Sequence, residues 1–245
     1  MLDKKFLSKV TKTFGVVYQR EMIIEECSEF IIAMQDINTV QGRGDYLIGK
    51  NGIGIVNIKN EIVKNAVLNY AEEFVDVEIV LTELKTALDG KIYNKILKSK
   101  QVQGFKKSTQ SNSEWMIRDV MITKCCDLIK SIQKVKRLEQ KIGFVDDYKN
   151  KSNADAKKST NNYIEKLVYV EVILNLLRKS IDINFYNKSL KFKLARLKKR
   201  LADKEKENKK IRVPIGRPKS VSKNWDEHIT IKLKSNKRKN NVVKP

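Results

Sequence analysis

The sequence predicts an all-α protein, built from two tandem helical modules and a basic C-terminal tail. Apolar residues recur at helical spacing along most of the 245 residues, and alternating strand patterns are nearly absent. All three prolines lie beyond residue 213, so none interrupts a helix before that point. A segment of the first half also matches a segment of the second half, which indicates an internal duplication.

The periodicity predicts seven helices. Those of the first module, residues 1–107, are expected at 3–13, 17–38, 58–88 and 91–104. Those of the second module, residues 108–210, are expected at 113–141, 160–181 and 184–210, and residues 211–245 form the tail. The glycine-rich connection "QGRGDYLIGKNGIGIVN" lacks the Gly-Lys-Ser/Thr of a Walker loop. It is interpreted as a flexible loop or short hairpin, which either closes over a substrate or only links helices.

The duplication is visible as an alignment of the chain with itself. Residues 70–100 align without a gap with residues 163–193, at a constant offset of 93, and 14 of the 31 aligned positions are identical. An earlier segment, 26–35, aligns with 124–133 at an offset of 98. This level of identity over one unbroken segment indicates duplication rather than chance.

Two pairs of carboxylates lie three residues apart in helical sequence: Glu26 with Glu29, and Glu73 with Asp76. Residues three apart share one helix face, so two antiparallel helices would direct four carboxylates into one seam. Such a cluster is destabilised by mutual repulsion unless a cation binds to it. Oxygen ligands without imidazole or thiolate favour Mg²⁺, or Mn²⁺, over zinc. Acidic pairs also arise by chance on solvated helix faces, and this alternative applies to either pair alone.

The second copy acts as an internal control for this metal site. The counterparts of the four acids there are Lys124, Asp127, Lys166 and Tyr169. Only one of these is an acid, whereas the apolar positions of both helices are kept. A ligand set confined to the first copy explains this difference, and a solvated surface role does not. By the same reasoning, two acids that both copies keep are expected to be structural or surface residues: Glu72 and Glu78, which recur as Glu165 and Glu171.

The net charge of +22 is concentrated toward the C-terminus. Residues 1–100 carry 14 basic and 14 acidic residues, whereas residues 185–245 carry 21 and 5. The segment "KSLKFKLARLKKRLADKEKENKK" is predicted to form a basic amphipathic helix. Its cations are suited to the phosphates of a nucleotide held by the first copy, or to those of a polynucleotide. A solvated helix face is the alternative.

Other functional classes find little support in the sequence. No apolar stretch approaches the roughly 18 residues of a membrane span, and the N-terminal residues lack the apolar segment of an export signal. The single histidine, His228, and the lack of a serine nucleophile motif argue against triad chemistry. Three cysteines without metal-ligand spacing are expected to be reduced thiols in the cytoplasm.

The run "FGVVYQREMIIEECSEFIIAM" followed by "YAEEFVDVEIVLTEL" resembles the MazG-like, all-α nucleoside triphosphate pyrophosphohydrolases, a superfamily that includes dimeric dUTPases. The signature of that superfamily is E-E-x-x-E on one helix and E-x-x-D on the next. Here it reads Glu25-Glu26-x-x-Glu29 and Glu73-x-x-Asp76. "FYNKSLKFKLARLKKRL" resembles the basic closing helix of the family, so that the resemblance covers roughly residues 10–205.

The resemblance implies hydrolysis of a ribo- or deoxynucleoside triphosphate between the α and β phosphates, with Mg²⁺ held by Glu26, Glu29, Glu73 and Asp76. Glu25 and Glu26 are the candidate catalytic acids. Glu25 is either a second-metal ligand or a base that orients water, and an exposed surface acid is the alternative for it.

Candidate substrate contacts also follow from the resemblance. Gln19 is expected to meet the sugar or base, and Asn94, Lys95 and Lys98 the phosphates. The last three recur in the second copy as Asn187, Lys188 and Lys191, which leaves a structural role open.

Members of the family usually work as dimers, so this chain is expected to be an intramolecular pseudo-dimer or a homodimer. The degenerate copy would then supply packing and basic groups, and the expected location is the cytoplasm of a bacterium or a phage-infected host. Two other functions are compatible with the sequence: a helical nucleic-acid-binding protein that uses residues 185–245, and a helical assembly module without a ligand. The preferred base and sugar are not determined by the sequence.

Overall fold

A computed structural model of the chain describes residues 2–41, 48–49, 52–53, 61–142 and 154–211. The helices of the first half are α1 (Lys4–Phe14), α2 (Val16–Gln41), α3 (Glu61–Ala87), α4 (Gly90–Leu97) and α5 (Lys100–Gln110). Those of the second half are α6 (Glu114–Ile142), α7 (Ala154–Leu177), a 3-10 turn (Arg178–Ser180) and α8 (Ile183–Ile211). Between α2 and α3, the two-residue strands β1 (Ile48–Gly49) and β2 (Gly52–Ile53) pair antiparallel. The prediction of an all-α fold is confirmed.

Aspartate side chains set the starts of three helices. Asp3 and Asp89 accept hydrogen bonds from backbone N–H groups in the first turns of α1 and α4, and Asp182 does so at α8. These caps satisfy amide groups that have no carbonyl partner within the helix. Helix α1 ends at Gly15, whose φ of 88° lies in the left-handed region that favours glycine, and α2 follows directly.

The predicted continuous helix 91–104 is wrong, because the chain breaks between α4 and α5. Ser99 has extended backbone (φ −63°, ψ 148°), and its hydroxyl accepts a hydrogen bond from the N–H of Val102 at 3.3 Å. This cap starts a new helix. The aligned residue of the second copy is Phe192, which has no capping oxygen, and α8 runs through that position without a break.

Helix α7 begins six residues earlier than the predicted helix 160–181, at Ala154. The added turns are mostly polar in sequence, yet Ala156 is only 2% exposed and Ser159 is also buried. Small side chains can enter a helix interface without forming an apolar stripe, so the periodic pattern does not reveal them.

Helices α2 and α3 run antiparallel and form the core of the first half. Phe30 of α2 stacks on Tyr70 of α3, with ring centroids 5.5 Å apart, and meets Phe74 edge-on at 6.0 Å. Phe74 also meets Tyr186 near the start of α8, at 6.2 Å. This buried aromatic group therefore joins α2, α3 and α8. In the second half, α6 and α7 pack against each other in the corresponding positions.

The helices of the two halves begin at matching positions along the chain. Helix α6 begins 98 residues after α2, and α7 and α8 begin 93 residues after α3 and α4. These intervals equal the two offsets of the sequence alignment. Two buried arginines, Arg20 of α2 and Arg118 of α6, also lie at aligned positions, but their ion pairs differ. Arg20 pairs with Glu139 of α6 at 2.9 Å, whereas Arg118 pairs with Glu114 of its own helix at 2.5 Å.

Two equivalent sets of contacts join α3 and α4 to the second half. One consists of Lys85, Tyr93 and Glu171, and the other, at the aligned positions, consists of Arg178, Tyr186 and Glu78. In each set, the glutamate accepts a hydrogen bond from a tyrosine hydroxyl of the other half. It also pairs with a cation, at 2.5 Å in the first set and 2.6 Å in the second. The prediction that Glu78 and Glu171 are structural residues is confirmed.

The chain divides into two compact units, Met1–Ala202 and Asp203–Pro245. The predicted boundary between residues 107 and 108 falls inside α5, within the first unit. In the second unit, the described residues 203–211 are the last turns of α8, where Lys204 pairs with Glu207 at 2.8 Å. Beyond Ile211, the predicted tail lies outside the described residues. None of the described helices has the length and apolar character needed to cross a membrane.

Candidate functional site

Three of the four predicted metal ligands come together between α2 and α3. Carboxylate oxygens of Glu26, Glu73 and Asp76 lie within 4.8 Å of one another, and among the described residues this is the group of acids that could hold an ion. The fourth, Glu29, is exposed and lies close enough to Glu73 to raise the pKa of the Glu73 carboxyl.

The helices place these acids at the edge of the apolar core. Glu26 and Glu29 flank the buried Cys27, and Phe30 follows directly, while Asp76 lies between the buried Val75 and Val77. Glu26, Glu73 and Asp76 are consequently half-buried, whereas Glu29 is exposed. Partial burial strengthens both the repulsion among the carboxylates and their attraction to any cation.

The pKa values of the cluster reflect this environment. Burial, with added repulsion from neighbouring carboxylates, raises the pKa of Glu26 to about 8 and that of Glu73 to about 7. Burial also raises the pKa of Asp76, although the ammonium group of Lys193 opposes the shift. Near neutral pH the cluster therefore retains protons that a divalent cation would displace.

Three cations of α8 approach the cluster from the second half of the chain. The Lys193 ammonium group donates a hydrogen bond to Asp76, and both side chains are largely buried. Arg196 is close enough to lower the pKa of Asp76, and Arg200 lies one helical turn further along. The general prediction that basic residues of this helix serve the first copy did not identify these individual residues.

Acids and cations line one pocket of about 220 Å³. Glu25, exposed at its edge, lines it together with Glu26, Glu29 and Asp76. Lys193, Arg196 and Arg200 line the same pocket. Its other walls are apolar or aromatic and are formed by Val10, Phe14, Tyr18, Met22, Ile79, Val80 and Leu197. The pocket thus combines a charged region with an apolar region.

The four predicted substrate contacts fall in different places. Gln19, at 1% exposure, lines the pocket. Asn94, Lys95 and Lys98 are exposed at α4 and are not among the residues that line it. Their role as phosphate contacts stays a prediction.

One further acid of the pocket was not identified from the sequence: Glu83, at 2% exposure. Burial raises its pKa to about 8, with a smaller effect from the Glu26 carboxylate. Its aligned residue in the second copy is Leu176. Three of the four predicted ligands also align with a residue of the second half that is not an acid, so the same comparison was a signal for Glu83.

The corresponding region of the second copy has a different chemistry. Lys124 pairs with Asp127 at 3.4 Å, and its ammonium group lies 5.3 Å from the ring centroid of Tyr169. Phe105 of α5 packs edge-on against the same ring at 4.8 Å. Cations and aromatic rings thus take the places that the carboxylates occupy in the first copy.

We expect Mg²⁺ to stabilise the protein more strongly as the pH rises from about 6 to about 8.5, because the ion competes with protons on Glu26 and Glu73. Without metal, the folded state holds these protons more tightly than the unfolded state. The two carboxyls therefore favour folding most below about pH 4.5, and this contribution is lost as the pH rises through about 7 and 8. Melting temperatures with and without Mg²⁺ across this pH range measure the effect. An increase in melting temperature on addition of Mg²⁺ that is the same at all pH values, or larger at the acidic end, would contradict this expectation.

Comparison with protein-family models, curated proteins and solved structures finds no match for this chain. Its function can therefore be inferred only from its own residues: clustered carboxylates, cations of α8 beside them, and the pocket that both groups line.

Proposed function

We propose that the chain is a Mg²⁺-dependent nucleoside triphosphate pyrophosphohydrolase, which converts a ribo- or deoxynucleoside triphosphate to the monophosphate and pyrophosphate. One observation carries this proposal: the carboxylates of Glu26 and Asp76 line the same pocket as the cations Lys193 and Arg196. Acids alone suit a metal ion, and cations alone suit an anion. Their combination suits a metal-bound polyphosphate.

The donor set fits Mg²⁺, with Mn²⁺ as a second candidate. Glu26, Glu73 and Asp76 offer oxygen atoms within 4.8 Å of one another, and Glu29 lies close enough to raise the pKa of Glu73. Within the described part of the chain, the buried Oε2 atom of Glu73 has no hydrogen-bond partner, as expected of an oxygen that binds a cation. When bound, Mg²⁺ supplies charge to the phosphate oxygens and polarises water for attack.

The chain's own residues supply the remaining requirements of the reaction. The guanidinium groups of Arg196 and Arg200, together with Lys193, are placed to bind phosphate oxygens and the developing charge on pyrophosphate. Glu25 or Glu26 accepts the proton of the attacking water. The oxygen of that water forms a bond to the α phosphorus, the bond to the α,β-bridging oxygen breaks, and pyrophosphate leaves with that oxygen.

The proposal includes membership of the MazG-like superfamily and an internal duplication whose two copies pack as a pseudo-dimer. The equal spacing of helix starts supports the duplication. The two sets that contain Glu78 and Glu171 support a pseudo-two-fold arrangement, because each contact within one set recurs in the other. In this arrangement the degenerate copy contributes α8, and with it the cations of the site.

A substrate panel tests the proposed function. Full-length protein is incubated with Mg²⁺ and each ribo- and deoxynucleoside triphosphate, and released pyrophosphate and orthophosphate are measured separately. We expect at least one nucleotide to yield pyrophosphate and monophosphate in equal amounts, and no turnover when Mg²⁺ is chelated. Absence of pyrophosphate release from every nucleotide would reject the proposal.

The second candidate function is nucleic-acid binding through residues 185–245. It is favoured by the run of exposed Lys198, Lys199 and Arg200 on α8 and by the further basic residues beyond it in the sequence. A third candidate, a helical assembly module without a ligand, predicts no thermal shift with Mg²⁺ and nucleotide together.

Truncation after residue 210 separates the first two candidates. We expect the truncated protein to keep pyrophosphate release within about 3-fold of the full chain, since every pocket residue precedes the cut. A polynucleotide binder would instead lose its salt-sensitive affinity, because cations that neutralise phosphates dominate such binding. Loss of turnover with unchanged helicity would contradict the assignment of the site to the first unit.

A further inference from the structure

Two buried polar side chains line the pocket without a complete set of partners. Gln19 is 1% exposed and Glu83 is 2% exposed. Among the residues that the structure describes, the Oε1 atom of each has no hydrogen-bond partner. Buried oxygens without a donor are destabilising and uncommon, so two of them lining one pocket indicate a ligand that brings hydrogen-bond donors.

These residues lie at a defined distance from the acids. Gln19 precedes Glu26 by seven residues, and Glu83 follows Asp76 by seven. Seven residues are two helical turns, so each residue shares the face of its acid at a separation of about 10 Å along the helix. Because α2 and α3 are antiparallel, Gln19 and Glu83 lie toward the same end of the pocket, away from the carboxylate cluster.

The walls at this end are flat and apolar. The rings of Phe14 and Tyr18 stack with centroids 5.2 Å apart, and both line the pocket with Met22 and Val80. A planar heterocycle whose faces are apolar and whose edge carries polar groups matches such a site.

The second copy supplies an independent observation. The residue aligned with Gln19 is Ile117, and the residue aligned with Glu83 is Leu176. The next residue in each segment is arginine, Arg20 after Gln19 and Arg118 after Ile117, which supports the alignment of Gln19 with Ile117. The copy that lacks the acid cluster therefore also lacks both buried polar groups, as expected if all of them serve one ligand.

We propose that Glu83 and Gln19 read the edge of the nucleobase and favour bases that carry an exocyclic amino group, namely cytosine, adenine or guanine, over uracil and thymine. This inference rests on the proposed function and specifies its substrate class. An amino group offers two N–H donors, one for each oxygen without a partner. The dCTP and dUTP comparison is made above the raised pKa of Glu83, about 8, where its carboxylate has no proton to donate to a base carbonyl. Uracil and thymine offer a single N–H between two carbonyl oxygens, so one of the buried acceptors stays unpaired.

The comparison of dCTP with dUTP tests this effect, because the two differ only along one edge of the base. Cytosine carries an amino group at position 4 and a bare N3, whereas uracil carries a carbonyl oxygen at position 4 and an N–H at N3. We expect kcat/KM of the wild-type protein to be at least about 10-fold higher for dCTP, since sites built to bind an N–H reject an analogue that lacks it. Glu83→Gln places an amide N–H beside the base, which can donate to the carbonyl of uracil. In this variant, kcat/KM for dCTP should exceed that for dUTP by less than about 3-fold.

A second variant covers the case in which Glu83→Gln does not fold. Gln19→Leu keeps an apolar helix face, as Ile117 does in the second copy, and should also reduce the preference for dCTP. Equal turnover of dCTP and dUTP by the wild type, or an unchanged ratio in both folded variants, would overturn the inference.

The outcomes distinguish this inference from the proposed function. If pyrophosphate is released from all nucleotides alike, the function stands and the base selection fails. If no nucleotide is hydrolysed, the function fails, and binding of deoxycytidine against deoxyuridine without metal, followed by NMR, still decides the base selection. Tighter binding of deoxycytidine supports it, and equal or absent binding of both rejects it.

Discussion

Replacement of Asp76 by Asn is expected to abolish Mg²⁺-dependent pyrophosphate release while leaving the helical fold intact. Asp76 belongs to the carboxylate cluster and accepts a hydrogen bond from Lys193, so it links the metal ligands to the cations of α8. Loss of a group that hydrogen-bonds a metal ligand already lowers metal affinity or activity by about 10–100-fold. Loss of a direct ligand should lower activity by more than the upper end of that range. Glu26→Gln should behave in the same way.

Stability without metal provides a second readout for these variants. Burial and repulsion disfavour the ionised form of Glu26, whose pKa is raised to about 8, so a neutral amide removes an unfavourable interaction. We therefore expect the melting temperature of Glu26→Gln without metal to equal or exceed that of the wild type above pH 8 or so. Its increase on addition of Mg²⁺ should disappear.

The second copy offers matched controls. Lys124→Ala alters the residue aligned with Glu26, and Asp127→Asn alters the residue aligned with Glu29. Both should retain turnover within about 3-fold of the wild type, because neither lines the pocket. Normal turnover by Asp76→Asn and Glu26→Gln, or equal losses in the controls, would contradict the assignment of the site.

Replacement of Phe74 by Ala should destabilise the protein by about 3–5 kcal/mol, the range measured for large aromatic groups truncated in cores. The ring is 1% exposed and contacts Phe30 of α2 and Tyr186 of α8. Its removal leaves a cavity at the junction of three helices, beside the acids Glu73 and Asp76. Urea denaturation followed by circular dichroism measures the change in the free energy of unfolding.

Phe192→Ala is the control for this measurement. Phe192 lies on α8 at 59% exposure, so its truncation should change stability by no more than about 0.5 kcal/mol. A loss below about 1 kcal/mol for Phe74→Ala would show that the aromatic junction is not packed as described.

Much of the helical framework followed from the sequence, because amphipathic periodicity is a local property. The seam of acids was also predictable, since i,i+3 spacing fixes the face on which Glu26 and Glu29, or Glu73 and Asp76, lie. The break at Ser99 was missed, because one capping hydroxyl decides between one helix and two. The early start of α7 was missed because its buried residues, Ala156 and Ser159, are small and form no apolar stripe.

The residues that complete the site were harder to predict, for two physical reasons. Lys193 is 117 positions from Asp76, and only tertiary packing brings them together. Its aligned residue, Lys100, is identical, so comparison of the two copies gave no sign of a function. That comparison treats each half of the chain as independent, whereas the pocket takes acids from the first half and cations from the second. Glu83 was missed because its burial depends on the pocket walls rather than on its neighbours in sequence.

The most direct test of the central claim is the position of bond cleavage, followed by ³¹P NMR during turnover in ¹⁸O-labelled water with Mg²⁺. Attack at the α phosphorus places one ¹⁸O atom in the nucleoside monophosphate and leaves pyrophosphate unlabelled, and this is the result we predict for the wild-type protein. Label in pyrophosphate or orthophosphate, or no turnover of any nucleotide triphosphate, would contradict the claim that the cluster of Glu26, Glu73 and Asp76 directs pyrophosphohydrolysis.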